Sequence, residues 1–181
     1  MTTAAIQPPL TLNCAEPTVQ LDASASSSGA NFQFTWVTTN GNFQSGTNTL
    51  TPVVDAPGQY MLRMLNTINN CEAQFTVNVE QDLNPPTADA GAPAVLSCAV
   101  PVVSLDGGGS SQGAFFSYQW TSSFTGHILS GPNSLWSEVD RSGQYTLFVT
   151  DTRNGCTASA AVLILLDQDS PEAEAGPEML L

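Results

Sequence analysis

The chain carries the stretch FQFTW at residues 32–36 and a matching stretch, FSYQW, at residues 116–120. In both, the apolar side chains stand two positions apart, and residues two apart lie on the same face of a β-strand. Each stretch therefore predicts a strand whose aromatic side chains form one wall of a hydrophobic core. Short alternating segments separated by turn signals surround both stretches, and no segment of useful length shows helical periodicity with caps. This pattern indicates an all-β sandwich.

The two stretches belong to a longer internal repeat. Cys98 follows Cys14 by 84 positions, and Cys156 follows Cys71 by 85, while the tryptophans of the two stretches are also 84 positions apart. A fixed period of this length indicates tandem copies of one structural unit. The chain is therefore predicted to contain two successive modules of about 85 residues, each within the usual size range of a domain.

The module boundaries follow from the turn and proline signals. Residues 1–8 are predicted to be a leading linker segment, followed by the first repeat at 9–82. A proline-rich linker with the start of the second repeat follows at 83–92, and the second repeat continues over 93–167. Residues 168–181 repeat part of that linker, and are expected to be a linker with the truncated start of a third repeat.

Four cysteines occupy matching places in the two repeats. An even number in a repeated pattern predicts one disulfide in each module, Cys14 with Cys71 and Cys98 with Cys156. The alternative is that all four are reduced and buried thiols. Zinc binding is not expected, because no CxxC pair occurs and the chain has one histidine.

Composition excludes several classes of partner. The formal charge is −13, there is no lysine, and the cations are Arg63, Arg141 and Arg153. A nucleic-acid-binding protein needs a basic patch that this chain cannot build. The longest apolar run, residues 158–166, is too short to span a bilayer as a helix. Paired cysteines and a polar surface with few charges favour an extracellular location, secreted or on a cell surface.

Several longer strings resemble one family. ADAG at 88–91, VSLDGGGSS at 103–111, YQW at 118–120 and GQYTLFVTD at 143–151 resemble the PKD-like, immunoglobulin-like tandem repeats of large bacterial surface or secreted proteins, of the kind found in Bacteroidota. The resemblance covers both modules. The chain departs from the commonest PKD pattern, because residues 38–42 and 122–126 replace the usual Asp-Phe-Gly-Asp-Gly.

The resemblance implies a fold and a role. It implies two tandem immunoglobulin-like (PKD-like) β-sandwich domains in a very large extracellular bacterial protein. Such arrays act as rods, stalks or filaments that mediate adhesion or cell-surface attachment, with neighbouring repeats, further copies of the chain, or a cell-surface or glycan target as partners. The alternative is a carbohydrate- or ligand-binding module that is accessory to a secreted enzyme.

Catalysis by this chain is not expected. Residues 109–113 match the G-x-S-x-G pattern, but that nucleophile motif requires a strand followed by a helix. Here the motif lies in a loop between predicted strands, and the first repeat lacks its first glycine. The one histidine, His127, is expected to be a solvated turn residue rather than a general base.

Acidic residues gather near the predicted linkers. Asp82 and Asp89 flank the first, and Asp167 and Glu174 flank the second. Carboxylate oxygens are ligands that Ca²⁺ prefers, so these residues form a candidate structural calcium site. The alternative is a solvated acidic linker, and no EF-hand or nonapeptide spacing supports a metal. No other cofactor is expected.

Two further features suggest an interface. Leu163 and Leu165 occupy a strand face that is polar in the first repeat, and an exposed apolar stripe commonly marks a contact. Its candidate partners are the next module, a neighbouring copy and a foreign protein. Trp136 has Thr51 as its counterpart in the first repeat, and could serve as a carbohydrate platform or interface anchor beside Phe124 and His127.

Overall fold

A computed structural model describes residues 3–8, 11–123 and 125–169. These residues form fifteen β-strands and contain no helix, so among them no helix could span a bilayer. The prediction of an all-β chain is confirmed. The chain divides into two compact units, and the division does not follow the sequence repeat throughout, because Asp151–Cys156 belongs to the first unit together with Met1–Pro85.

The first unit contains three small sheets. Its strands are β1 (Leu12–Asn13), β2 (Val19–Gln20), β3 (Phe32–Thr38), β4 (Phe43–Ser45), β5 (Val53–Val54), β6 (Gly58–Asn66), β7 (Glu72–Val79) and β8 (Gln81–Asp82). They are ordered β2-β5-β4 and β3-β6-β7, with antiparallel pairing, and β1 pairs in parallel with β8.

The second unit, Pro86–Thr150 and Thr157–Leu181, repeats this plan. Its strands are β9 (Ala94–Leu96), β10 (Val103–Asp106), β11 (Phe116–Ser122), β12 (Ile128–Ser130), β13 (Trp136–Val139), β14 (Gly143–Asp151, ending one residue inside the first unit) and β15 (Thr157–Leu166). They are ordered β10-β13-β12 and β11-β14-β15-β9, and β9 pairs in parallel with β15. When the strands are lettered from β9 as A to β15 as G, the sheets read BED and CFG, with A beside G. This is the strand arrangement of an immunoglobulin-like sandwich.

The tryptophans of the two aromatic stretches lie in the cores, as the alternation predicts. Trp36 and Trp120 are buried, and each indole N–H donates to a backbone carbonyl, that of Thr49 at 2.8 Å and that of Ser134 at 3.0 Å. A buried indole needs such a partner, because an unsatisfied buried donor destabilises the fold. Both tryptophans are therefore packed in a core with their indole N–H groups hydrogen-bonded.

Each unit also contains a tyrosine corner near the start of a central strand, β6 in the first unit and β14 in the second. The hydroxyl of Tyr60 donates to the carbonyl of Ala56 at 2.6 Å, and that of Tyr145 donates to Arg141 at 2.7 Å. In antibody domains the second core cysteine stands two residues after this tyrosine. Leu62 stands there in the first unit and is completely buried. The core therefore closes with an apolar side chain where an antibody domain has a disulfide.

The segments that lead into the two units dock in the same way. The backbone of Ala5 exchanges hydrogen bonds with the hydroxyl of Ser26 at 2.9 Å each, and the backbone of Asp89 does so with Ser110 at 2.9 and 3.1 Å. From the sequence, 1–8 is predicted to be a linker and 83–92 a linker with the start of the second repeat. Residues 3–7 and 87–89 bond to the loop that follows the second strand of their own unit.

The tyrosine corner yields a stability prediction. Tyr145→Phe should lower the free energy of unfolding by about 1–3 kcal/mol, because it leaves the carbonyl of Arg141 and the N–H of His127, 3.0 Å from the hydroxyl, without their partner at a partly buried site. Urea unfolding of the oxidised protein measures it. The control is Tyr118→Phe, which removes one hydrogen bond, to Ser111, at a less buried site. Equal effects of the two variants would contradict the prediction.

Candidate functional site

The structure contains one disulfide among its described residues, and this bond joins Cys14 to Cys156 with their Cα atoms 5.0 Å apart. Cys71 and Cys98 are exposed and unbonded. The sequence-based pairing of Cys14 with Cys71 and of Cys98 with Cys156 is therefore wrong. The bond that forms connects the first cysteine of the first repeat to the second cysteine of the second repeat.

The reason is the position of the cysteines on the sheets. In the first unit, Cys14 follows β1, which pairs with β8, so it lies beyond the last residue of β7. Cys71 immediately precedes the first residue of β7. Eight residues of extended strand, about 26 Å at 3.3 Å per residue, separate those two levels. A disulfide requires Cα atoms within about 7 Å.

The second unit has the same geometry. Cys98 follows β9, whose last residue pairs with Leu166 at the end of β15, whereas Cys156 precedes the first residue of that strand. Ten residues of strand, about 33 Å, lie between them. A repeat of this design therefore cannot close on its own two cysteines.

The turn that carries Cys156 packs into the first unit, where it meets the loop that carries Cys14. The N–H of Ala15 donates to the carbonyl of Asn154 at 3.2 Å, and the amide of Asn154 donates to the carbonyl of Asn84 at 3.0 Å. Asn154 and Cys156 are both buried. Hydrogen bonds on both sides of the disulfide therefore hold it in place.

The turn of residues 151–156 has a fixed internal geometry. The carboxylate of Asp151 binds the guanidinium of Arg153 through two bonds, at 3.0 and 2.6 Å, and these bonds lower the pKa of that carboxyl. Gly155 has φ of +70°, and the side-chain oxygen of Asn154 accepts from the N–H of Cys156 at 2.9 Å. These contacts fix the conformation of the turn that presents Cys156.

The loop that carries Cys14, called here the receiving loop, also has a fixed internal geometry. The side-chain oxygen of Asn13 accepts from the N–H groups of Ala15 and Glu16, at 3.0 and 2.7 Å. The carboxylate of Asp82 accepts from the backbone and the amide of Asn84, at 3.1 and 2.9 Å. The Asn84 N–H lowers the pKa of Asp82, and the Asn154 amide lowers it further. Asp82, proposed from sequence as a calcium ligand, is thus part of this junction.

The remaining candidate calcium ligands lie in separate turns. Asp89 accepts from the N–H of Gly91 at 2.9 Å, and Asp167 accepts from that of Asp169 at 3.0 Å. Glu174 lies outside the described residues. Within residues 3–8, 11–123 and 125–169, no three potential ligands group together. The calcium hypothesis stays a prediction.

The leucine stripe lies on β15. Leu163 and Leu165 are about half exposed, and Leu165 is paired with Val95 of β9, which is exposed to a similar degree. Val162 and Ile164 face the core. Leu166 is exposed, because it stands at the end of the strand. The interpretation of the stripe as an interface stays a prediction.

Trp136 is 56% exposed on β13, where it pairs with Asp106. Of its two expected neighbours, Phe124 lies outside the described residues. His127 bonds through Nδ1 to Asp140 at 2.7 Å, and in the first repeat the amide of Asn42 bonds to Asp55 at the same distance. His127 thus takes the place of a turn-bridging asparagine.

The serines of the G-x-S-x-G match are used by the fold. The hydroxyl of Ser111 accepts from the N–H of Thr87 at 2.9 Å, and its neighbour Ser110 is buried against Asp89. The motif lies in the loop between β10 and β11, with no helix after it. These contacts explain the serines without a nucleophilic role.

No family model matches the chain, and no curated protein matches it. Solved structures similar to it include three N-terminal domains of the highly immunogenic outer capsid protein Hoc of bacteriophage RB49, at 16% identity and a TM-score of 0.47, over 92% of this chain and 59% of that one. An I-band fragment of titin matches at 13% identity and 0.42, over 93% and 67%. The N-terminal eight immunoglobulin domains of DSCAM match at 14% and 0.41, over 92% and 25%. The chain thus spans less than two thirds of the Hoc fragment, and the fold assignment rests on strand order.

The junction yields a steric prediction. A Cβ at Gly155 would lie 2.5 Å from the Cβ of Ala15, which is closer than real Cβ contacts allow. Gly155→Asn keeps the left-handed backbone accessible, as Asn70 shows at φ of 55°. The Gly155→Asn substitution should lower the effective concentration of the Cys14 and Cys156 thiols for each other about tenfold. A tenfold change is in keeping with the free energy that overpacking typically costs.

Equilibration in glutathione buffer measures this effective concentration. The control is Gly113→Asn, since a Cβ at Gly113 would meet no atom within 4 Å. An unchanged thiol–disulfide equilibrium in Gly155→Asn would contradict the packing described for the turn.

Proposed function

We propose that this chain is a non-catalytic structural segment of a very large extracellular bacterial protein, in which successive repeats are joined by disulfides to form a rod, stalk or filament for adhesion or surface attachment. The observation that carries the proposal is the bond from Cys14 to Cys156. Both cysteines lie in the first compact unit, but Cys156 belongs by sequence to the second repeat, so the bond ties the chain of the second repeat to the first.

The bond changes the path of an applied force. A pull on the two ends of the chain enters before Cys14 and leaves after Cys156, so the shortest covalent path runs through the sulfur atoms. The 142-position separation between the two cysteines is removed from that path. Strands β2 to β14 lie inside the closed loop and are shielded from extension, whereas β1 and β15 lie outside it.

Environment and composition support the same role. Disulfides persist in oxidising compartments outside the cytosol. The net charge of −13, with no lysine, suits a solvent-exposed surface that has no affinity for nucleic acid. A covalently linked array of immunoglobulin-like units would provide mechanical strength without any chemical activity.

Single-molecule pulling between the termini tests the proposal. The oxidised chain should release only the residues outside positions 14–156 at forces that unfold sandwich domains. Addition of a reductant should release roughly 48 nm more, for 142 residues at about 3.4 Å each.

Matched variants sharpen the pulling experiment. Cys14→Ser/Cys156→Ser should extend fully without reductant, and Cys71→Ser/Cys98→Ser should behave like the parent chain. Full extension of the oxidised parent chain without reductant would show that no bond spans residues 14–156 in the pulled molecule, and would contradict a role of the bond in carrying force.

A second candidate function is glycan binding, supported by the exposed indole of Trp136. Aromatic faces can stack on sugar rings, so Trp136→Ala should abolish binding on a glycan array, while Trp136→Phe should retain part of it. Equal binding by the parent chain and Trp136→Ala would exclude Trp136 as the carbohydrate platform.

A further inference from the structure

The exposed thiols of Cys71 and Cys98 take no part in the disulfide described above. The sequence repeat shows which bonded cysteine each of them corresponds to. Cys98 stands 84 positions after Cys14, and Cys71 stands 85 positions before Cys156. The chain therefore presents a second copy of each half of its own disulfide. Each copy has kept its surroundings as well as its cysteine.

The loop around Cys98 reproduces the loop that receives the bond. Residues 14–19 read CAEPTV and residues 98–103 read CAVPVV, so alanine and proline recur at the same places. The N–H of Asn13 donates to the carbonyl of Glu16 at 3.0 Å, and that of Ser97 donates to Val100 at 3.0 Å. The backbone at Cys98 is thus folded like that at Cys14.

The acidic turn beside the receiving loop is also repeated. Asp82 accepts from the N–H of Asn84 at 3.1 Å, and Asp167, 85 positions later, accepts from that of Asp169 at 3.0 Å. Both turns directly follow the strand that pairs in parallel with the strand before the cysteine. The second unit thus contains the elements that hold Asn154 in the first.

The turn around Cys71 has the same conformation as the turn of residues 151–156 that carries Cys156, called here the donating turn. The N–H of Cys71 bonds to the side chain of Asn69 at 3.0 Å, as that of Cys156 does to Asn154 at 2.9 Å. Asn70 and Gly155 both have left-handed backbones, with φ of 55° and 70°. Cys71 is therefore presented in the same way as a cysteine that does form a bond.

The side chains around the two unused halves match each other in polarity. Ile68 takes the place of Arg153 in the donating turn and is 72% exposed. In the receiving loop, Val100 and Val102 take the places of Glu16 and Thr18, and are 48% and 41% exposed. Exposed apolar side chains on both halves favour association of one half with the other.

We propose that Cys98 of one copy of this chain forms a disulfide with Cys71 of a second copy, in the arrangement that Cys14 and Cys156 already show. Each copy has one donating turn and one receiving loop, so the contact is head-to-tail and extends into an open filament. The inference deepens the proposed function and rests on its bond between repeats.

The reaction balances with a disulfide oxidant such as oxidised glutathione. The Cys98 thiolate attacks one glutathione sulfur, which gives a mixed disulfide and releases one glutathione thiolate. The Cys71 thiolate of the second copy then attacks the Cys98 sulfur and releases the second. Two protein thiols are oxidised, and one oxidised glutathione is reduced to two thiols.

One difference between the halves makes the proposal more specific. Gly155 meets Ala15 without a Cβ, whereas Asn70 would bring a Cβ toward the equivalent Ala99. The second junction therefore closes less tightly than the first. Asn70→Gly should raise the rate of intermolecular coupling about tenfold, in keeping with the cost of overpacking.

Mixing two single variants tests the proposal. Cys71→Ser retains Cys98, and Cys98→Ser retains Cys71. In a glutathione redox buffer, each variant alone should stay monomeric on a non-reducing gel. The mixture should give a disulfide-linked heterodimer of the two variants, at least about tenfold more abundant than the homodimers. The parent chain should give a ladder that grows with protein concentration, and peptide mass spectrometry should identify the Cys98–Cys71 link.

The outcomes separate the two proposals. Random collision of exposed thiols would give heterodimers as only half of all dimers in the mixture, and that result, or monomers throughout, would overturn the head-to-tail junction. If Cys14–Cys156 forms in those same samples, the proposed function stands without the inference. If the Cys14–Cys156 bond does not form, the proposed function and the inference both fail, because the Cys98–Cys71 bond is inferred by analogy with it.

Discussion

The structure depends on where a repeat places its two cysteines. The first follows a short strand that pairs in parallel with the end of the last strand or its continuation, and the second precedes the start of that last strand. A whole strand, about 26 Å or more, lies between them. This geometry forbids a bond within a repeat, and Cys14 bonds instead to Cys156 of the other repeat.

Because of this constraint, the disulfide does not take part in closing either hydrophobic core. Each core closes without a disulfide, with leucine two residues after the corner tyrosine and with a tryptophan whose N–H is satisfied. The bond is thereby available for the junction. By the chain-entropy model, closing a loop of 142 residues destabilises the unfolded chain by about 5 kcal/mol. One bond thus constrains most of both repeats, because strands β2 to β14 lie within the loop it closes.

The sequence was sufficient for the fold and insufficient for the junction, for a physical reason. Alternation in the aromatic stretches is a local signal, so strand content and the burial of Trp36 and Trp120 could be predicted from it. A repeat period identifies which cysteines are equivalent, but not which of them meet. That depends on the parallel pairing of Leu12 with Gln81, a contact between residues far apart in sequence. No local sequence signal indicated that the turn of residues 154–156 would pack against Ala15 and Asn84.

The most direct test of this account is disulfide mapping of the protein purified under oxidising conditions. Free thiols are alkylated first, and the unreduced protein is then digested and analysed by mass spectrometry. The account predicts a cross-linked peptide pair that contains Cys14 and Cys156, whether or not a link between Cys98 and Cys71 of different copies is also found. Peptides that join Cys14 to Cys71, or Cys98 to Cys156, would contradict it.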